Sequence, residues 1–274
     1  MAWIEWRQIG TVAHKELRDR LRNRWVLVIA VGFAAFSLAI GYFGGAQQGE
    51  VGLRSAAFVI ASLVSLAIYL IPMIALLLGF DAIVGERERG SLGLLLSYPL
   101  TRVELLLGKY LGLAAALGLA TLAGFATVGV PLFLKFGAAM LGPFLRFCGS
   151  AVLLGMTFLS IAVLLSVLAR DRAQASGLAI AVWLFFVLVY DLLLVGALVA
   201  TGGQVSDTAI ATALLLNPAG LFRILNVFSL AAVRELYGLA SIVPTALASP
   251  AALAAPLLAW IAAPLLLAIW RFRT

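Results

Sequence analysis

Few side chains in this sequence could carry chemistry, and their spacing argues against catalysis. His14 is the only histidine and Cys148 the only cysteine. His14 lies in a polar amino-terminal stretch, far in sequence from the apolar runs, so neither a serine or cysteine nucleophile there nor a zinc ion would find its partners. One cysteine forms no intrachain disulfide. Met73, Met140 and Met156 with Cys148 are soft ligands suited to copper, but they are scattered without ligand spacing, as core-filling residues are. No metal site is expected. No G-x-x-x-x-G-K-[ST] loop occurs, so any ATP that drives this protein is expected on another chain.

Asp191, next to Tyr190, stands inside a long apolar run where a carboxylate is costly. It either lines a path or holds helices together. The other charged candidates gather between Asp81 and Lys109. Glu86, Arg87, Glu88 and Arg89 form a cluster closed by Gly90 and followed by Ser91 and Leu92. The apolar run 92–96 is too short to span a membrane, and Pro99 stops it. Thr101 stands three residues before Glu104, the spacing of a capping box, so a new helix starts there and carries Arg102. A short helix lying across the ends of two long ones suits docking of a soluble partner better than a solvated connection. Asp81, at the end of the preceding apolar run, is expected to be solvated or paired with arginines, a structural role.

The elements that must position these groups follow from composition. The chain is 64% hydrophobic and 11% charged, where a soluble domain carries about 25% charged residues. The expected fold is all-α and polytopic, with six transmembrane helices near Val26–Phe43, Ser55–Val84, Tyr110–Leu134, Leu145–Ala169, Gly177–Ala200 and Ala251–Trp270. Residues 1–25 form an amphipathic interfacial helix, with Trp3, Trp6, Ile9, Ala13, Leu17 and Leu21 on one side and Arg7, Lys15, Arg18 and Arg22, with Glu16, on the polar side. Its mixed charges do not read as a cleavable signal. Membrane lipids are its first expected partner. The 26–274 remainder is the transmembrane domain.

Six spans put both termini on one side. That side receives six Lys and Arg from the amino terminus, four from 85–109, two from 170–176 and two from the tail, against Arg54, Lys135, Arg146, Arg223 and Arg234 opposite. The bias places both termini in the cytoplasm and explains the net charge of +7 without a nucleic-acid partner. Loop 201–250 is then outside. Asn217-Pro218 starts a helix there, and the run beyond it reads as short outer-leaflet helices interrupted at Arg223 and Asn226. Asn217, Arg223, Asn226 and Arg234 are the candidate contacts for an outer partner. Pro244, Pro250, Pro256 and Pro264 lead into a kinked last span. Gly108-x-x-x-Gly112, continued by Ala116, allows close helix packing, either within the bundle or between two copies.

The motif E-x-E-x-G-[ST]-L at Glu86–Leu92, the L-S-x-P at Leu96–Pro99 and the [ST]-R-x-E…G-K from Thr101 to Lys109 resemble the membrane subunits of the ABC-2 class of ABC transporters. So do the run His14–Trp25 and the segments Ser65–Glu86, Ser97–Lys109, Val182–Leu194 and Leu214–Asn226. Within that class the likeness is to permeases serving copper-centre assembly of nitrous oxide reductase, in denitrification. The resemblance implies a homodimer in the bacterial inner membrane, with the compact arrangement of type V exporters. It also implies two copies of a separate ATPase that holds ATP and Mg. Residues 86–97 would be the coupling helix in a groove of that ATPase, with the amino-terminal helix alongside. The outer loop would meet a periplasmic β-helical copper-handling protein, and the work would be export or mechanical transmission. The alternative is a generic exporter of a lipid, drug or glycan.

Overall fold

Apolar length and helix caps together set the architecture. The computed structural model describes residues 5–22, 24–43, 56–202, 204–228 and 250–273. Among them are helices and turns and no strand. The order is α1 (Trp6–Leu21), α2 (Arg24–Phe43), α3 (Ala56–Gly79), α4 (Val84–Glu88), α5 (Ser91–Ser97), α6 (Arg102–Phe136), a 3-10 turn Ala138–Met140 and α7 (Leu141–Leu168). Then come α8 (Arg172–Leu184), a π-helical turn Phe185–Val189, α9 (Tyr190–Ala200), α10 (Asp207–Leu215), α11 (Pro218–Phe228) and a last helix, α12, at Pro250–Arg273. Five stretches are long and apolar enough to cross a membrane: Phe58–Glu88, Arg102–Phe136, Ala138–Leu168, Arg172–Ala200 and Ala254–Phe272. Helix α2 adds a further apolar helix of 20 residues.

The helices begin where caps place them, not where hydrophobicity rises. Helix α6 starts at Arg102, ahead of the expected Tyr110, because Thr101 accepts from the Glu104 N–H and Glu104 reaches back to Thr101. Helix α8 starts at Arg172, ahead of Gly177, because Asp171 accepts from the Gln174 N–H at 2.7 Å. Hydropathy marks where a bilayer core would begin, whereas a cap marks where orphan N–H groups are satisfied. Conversely, α3 stops at Gly79, and a turn over 80–83 precedes α4.

Helix α7 is the centre of the bundle and packs against α3, α6, α8, α11 and α12. Its buried hydroxyls each meet a particular need of a neighbour. Proline at 264 leaves the Trp260 carbonyl without its usual N–H, and Ser160 donates to that oxygen at 3.2 Å. Thr157 donates to Leu257 O of the same helix. Ser150 exchanges hydrogen bonds with Asn226 of α11. With these contacts α12 runs as one helix through both Pro256 and Pro264, so the expected kink does not end it. The core is completed by a file of rings, Phe33, Phe125, Phe147 and Phe222, with centroids 4.9, 4.6 and 6.4 Å apart.

One expectation is corrected here. Helix α11 is not interrupted at Arg223 or Asn226 but runs through both to Phe228, because each polar group finds a partner on another helix. Arg234 and Pro244 lie outside the described residues. The Gly108-x-x-x-Gly112 motif packs within the chain, where it seats α1. A Cβ on Gly108 would fall 2.6 Å from Val12 Cβ, and one on Gly112 would fall 2.6 Å from Ala13 O. Helix α6 has 35 residues and so is about 52 Å long, longer than a bilayer core of about 30 Å. Its first turns therefore extend past the core, and α1 lies along them.

Candidate functional site

The end of the bundle where α3 meets α6 carries the densest chemistry. Helix α3 can close on α7 only because Gly79 has no Cβ; one there would sit 2.8 Å from Ala162 Cβ. The chain then turns, which strands the first N–H groups of α4. Ser166 of α7 accepts from both Ile83 N at 2.9 Å and Val84 N at 3.0 Å. Gly90 has φ +71°, a left-handed conformation costly for other residues, and it redirects the chain from α4 into α5. The Ser91 hydroxyl donates to the Glu86 carboxylate across that corner. Leu94 and Tyr98 project outward, 70% and 65% exposed. At the far end of the segment Glu104 closes the capping box and also accepts the Glu5 N–H at 2.7 Å, which fastens the start of α1.

Behind this segment the charges form one alternating chain. Lys109 is only 7% exposed, and its Nζ lies 2.9 Å from Glu86 Oε1 and 3.1 Å from Glu16 Oε2. Glu16 continues to Arg20 at 3.1 Å, Arg20 to Asp81 at 3.4 Å, and Asp81 to Arg172 at 2.6 Å. Arg89 approaches Glu86 from outside at 3.9 Å, and Glu88 accepts the Arg172 N–H at 2.8 Å. The chain thus joins α1, the turn after α3, α4, α6 and α8 around a cavity of about 390 Å³ that Lys15 and Asp19 also line. Arg87 leaves this chain and donates to the Ala169 and Val167 carbonyls at the end of α7. Arg102 does the same at the end of α12, donating to Phe272 O at 3.0 Å with its guanidinium 5.8 Å from the Phe272 ring. Such an arrangement has no nucleophile–base pair. It can hold five segments in register and pass a displacement of α4 to α1, α6 and α8.

A second polar group lies far along the fifth apolar stretch. Asp191 follows the π-helical turn, 19 residues or about 28 Å beyond Arg172. Its Oδ2 pairs with Arg223 Nη2 of α11 at 2.8 Å. The π turn frees carbonyls, and Asn217 Nδ2 donates to that of Phe186 at 3.1 Å while its Oδ1 caps α11 at Ala219 N. Tyr190 OH donates to Ala213 O of α10 at 2.6 Å. Asn217 and Asn226 are buried in this packing. Among the described residues no three His, Cys, Asp or Glu side chains gather as a metal site.

The broken α3–α4 turn, the left-handed Gly90 corner and the capped re-entry at Thr101 are therefore built, not incidental, and comparison with known proteins bears on what they are for. The model of the ABC-2 family transporter proteins matches residues 10–274. The chain belongs to the ABC-2 family. It is 46% identical to "Probable ABC transporter permease protein NosY" of Pseudomonas aeruginosa over 271 residues, 97% of this chain and 98% of the relative. It is 43% identical to the protein of the same name from Stutzerimonas stutzeri over 270 residues, 97% of this chain and 98% of the relative. It is an integral membrane permease of that family.

In this ABC-2 permease the structure gathers Glu86, Arg89 and Glu88 with Glu16 and Asp81, groups that sequence reading assigned to three separate roles. Lys15 lines the same cavity, while Arg18 and Arg22 lie on the outer side of α1 and join none of these pairs. Asp81 pairs with arginines, though with Arg20 of α1 and Arg172 of α8, not with those of its own loop. Asp191, expected either to line a path or to hold helices together, and Arg223, expected as an outer contact, meet each other. Arg20, Arg172 and Ser166 are not singled out by the sequence, and Lys109 is legible there only as the close of the motif that begins at Thr101. Ser166 sits in the last turn of a long apolar helix, where nothing in the local pattern marks it as a partner for the turn after α3.

Proposed function

We propose that this chain is the transmembrane subunit that turns ATP hydrolysis on a separate ATPase into movement across the membrane. The observation that carries this reading is the α4–α5 corner, which presents Leu94 and Tyr98 outward while on its inner side Glu86 pairs with Lys109 of α6, from which the charge chain runs on to α1, the turn after α3 and α8. Such a piece takes a push on one side and delivers it on the other. Two copies of the chain work with two copies of the ATPase, which holds ATP and Mg. The chain lies in a bacterial inner membrane with both termini cytoplasmic. In this reading α2 is a sixth span, α1 lies at the membrane interface, and α10 and α11 belong to the outer side. The excess of Lys and Arg at the α4–α5 end supports that orientation.

The similarity to NosY along the whole chain supports a place in copper-centre assembly of nitrous oxide reductase. The outer loop then meets a periplasmic β-helical copper-handling protein, and the work is export or mechanical transmission. Leu94→Asp with Tyr98→Asp should abolish co-purification of the ATPase while leaving the thermal unfolding of this chain unchanged. Retained ATPase binding by that variant sinks the docking claim. Glu86→Gln should keep the ATPase bound yet lower the coupled output several-fold. A strain lacking this chain that still makes fully copper-loaded reductase would point instead to a generic exporter of a lipid, drug or glycan.

A further inference from the structure

Beside the α4–α5 corner lies a second cavity, of about 570 Å³, between α5 and the ends of α7 and α12. Arg87, Arg102, Arg170 and Arg271 line it, and no Asp or Glu does among the described residues. Arg87 and Arg102 spend donors on the carbonyls of Val167, Ala169 and Phe272. Each guanidinium has five N–H donors, so both keep donors for an anion, and neither is neutralised by a carboxylate. This contrasts with the neighbouring 390 Å³ cavity, where acids and bases alternate. Arg87, Arg102 and Arg170 thus bring three like charges to one cavity, and their mutual repulsion calls for a counter-anion.

The position of the cavity says which anion. It opens at the last turns of two membrane-crossing helices, the depth of lipid headgroups. Leu168 and Trp270, each next in sequence to one of these arginines or one residue away, are exposed there, and tryptophan favours that level of a bilayer. Leu266, Leu267 and Trp270 continue as an exposed apolar strip down α12, leading from the cavity into the hydrocarbon. Arginines above an apolar track match a phosphate diester carrying acyl chains.

We propose that this cavity binds the headgroup of an anionic phospholipid, whose phosphate bridges the ends of α7 and α12. This holds whether or not α5 seats an ATPase, since Leu94 and Tyr98 do not line the cavity. The test uses the purified full-length chain in nanodiscs of phosphatidylcholine alone or doped with phosphatidylglycerol, with retained lipid counted by native mass spectrometry. The wild type should retain phosphatidylglycerol in preference to phosphatidylcholine. Arg170→Gln should weaken that retention about fivefold, the worth of one arginine at headgroup level. The melting temperature of that variant in phosphatidylcholine alone should match wild type, which separates lost binding from lost folding. Stabilisation of the wild type by millimolar inorganic phosphate as large as that by phosphatidylglycerol would show a free-anion site and overturn the proposal. So would a variant that keeps its lipid but loses an acidic protein partner.

Discussion

At the α4–α5 end, seven charged side chains from five segments form one alternating chain, from Arg89 through Glu86, Lys109, Glu16, Arg20 and Asp81 to Arg172. About 28 Å further along α8 and α9, Asp191 and Arg223 form one pair that joins two helices. The first group is shared: each inner member touches two opposite charges, so removing one takes a partner from two others at once. The second is a simple contact, with side chains 33% and 41% exposed within the chain. A shared network is rigid because its parts cannot be exchanged singly, whereas a lone pair can separate without disturbing anything else. In the function proposed above, that contrast would suit an end that takes up force and a region that opens or slides.

The largest effect should come from Lys109→Met. It leaves Glu86 and Glu16 without their common cation in a nearly closed site, and about 3–5 kcal/mol of stability should go, read as a fall in melting temperature. Adding Glu86→Gln should restore part of the loss, and strict additivity of the two changes would break the comparison. Next, Gly112→Leu should drive α1 off α6, because the new side chain meets Ala13 O and Glu16 Cβ. A cost of about 1–3 kcal/mol is expected, together with faster tryptic cleavage at Arg18 and Arg20.

Arg223→Ala and Asp191→Asn should each cost about 1 kcal/mol or less, with ATPase binding intact. A loss equal to that of Lys109→Met would show that the pair belongs to a larger network after all. Changed transport or maturation activity in Asp191→Asn with normal assembly would put Asp191 in the mechanism, and unchanged activity would leave it as a packing residue. The smallest effect should be that of Ser160→Ala. It removes one hydrogen bond to the Trp260 carbonyl, worth about 0.6 kcal/mol between membrane helices, and is measurable by chemical or thermal unfolding against wild type.

Much of the scaffold was legible in the chain. The apolar runs, the Thr101–Glu104 box, the Asn217-Pro218 start and the short helix after Gly90 all depend on residues a few positions apart. Local spacing is what periodicity and capping rules read. The charge network was not legible as a unit. Lys109 and Glu16 are 93 residues apart, and Arg172 and Asp81 are 91 apart, so nothing in local pattern ties them. The role of Gly108 and Gly112 was open for the same reason: small residues four apart permit close packing but do not name the partner.

From the sequence alone came the class of molecule, the helices and their caps, and the stretch where a partner would dock, because hydrophobicity and backbone hydrogen bonding are settled within a few turns. Only the tertiary structure decided that α1 lies on α6, that Ser166 holds the broken α3–α4 turn, and that Asp191 is paired with Arg223. It also decided that Arg87 and Arg102 turn from the charge network to the ends of α7 and α12. Those outcomes depend on which helices touch. In a bundle that is settled by the packing of whole faces and by the need to match every buried charge at once.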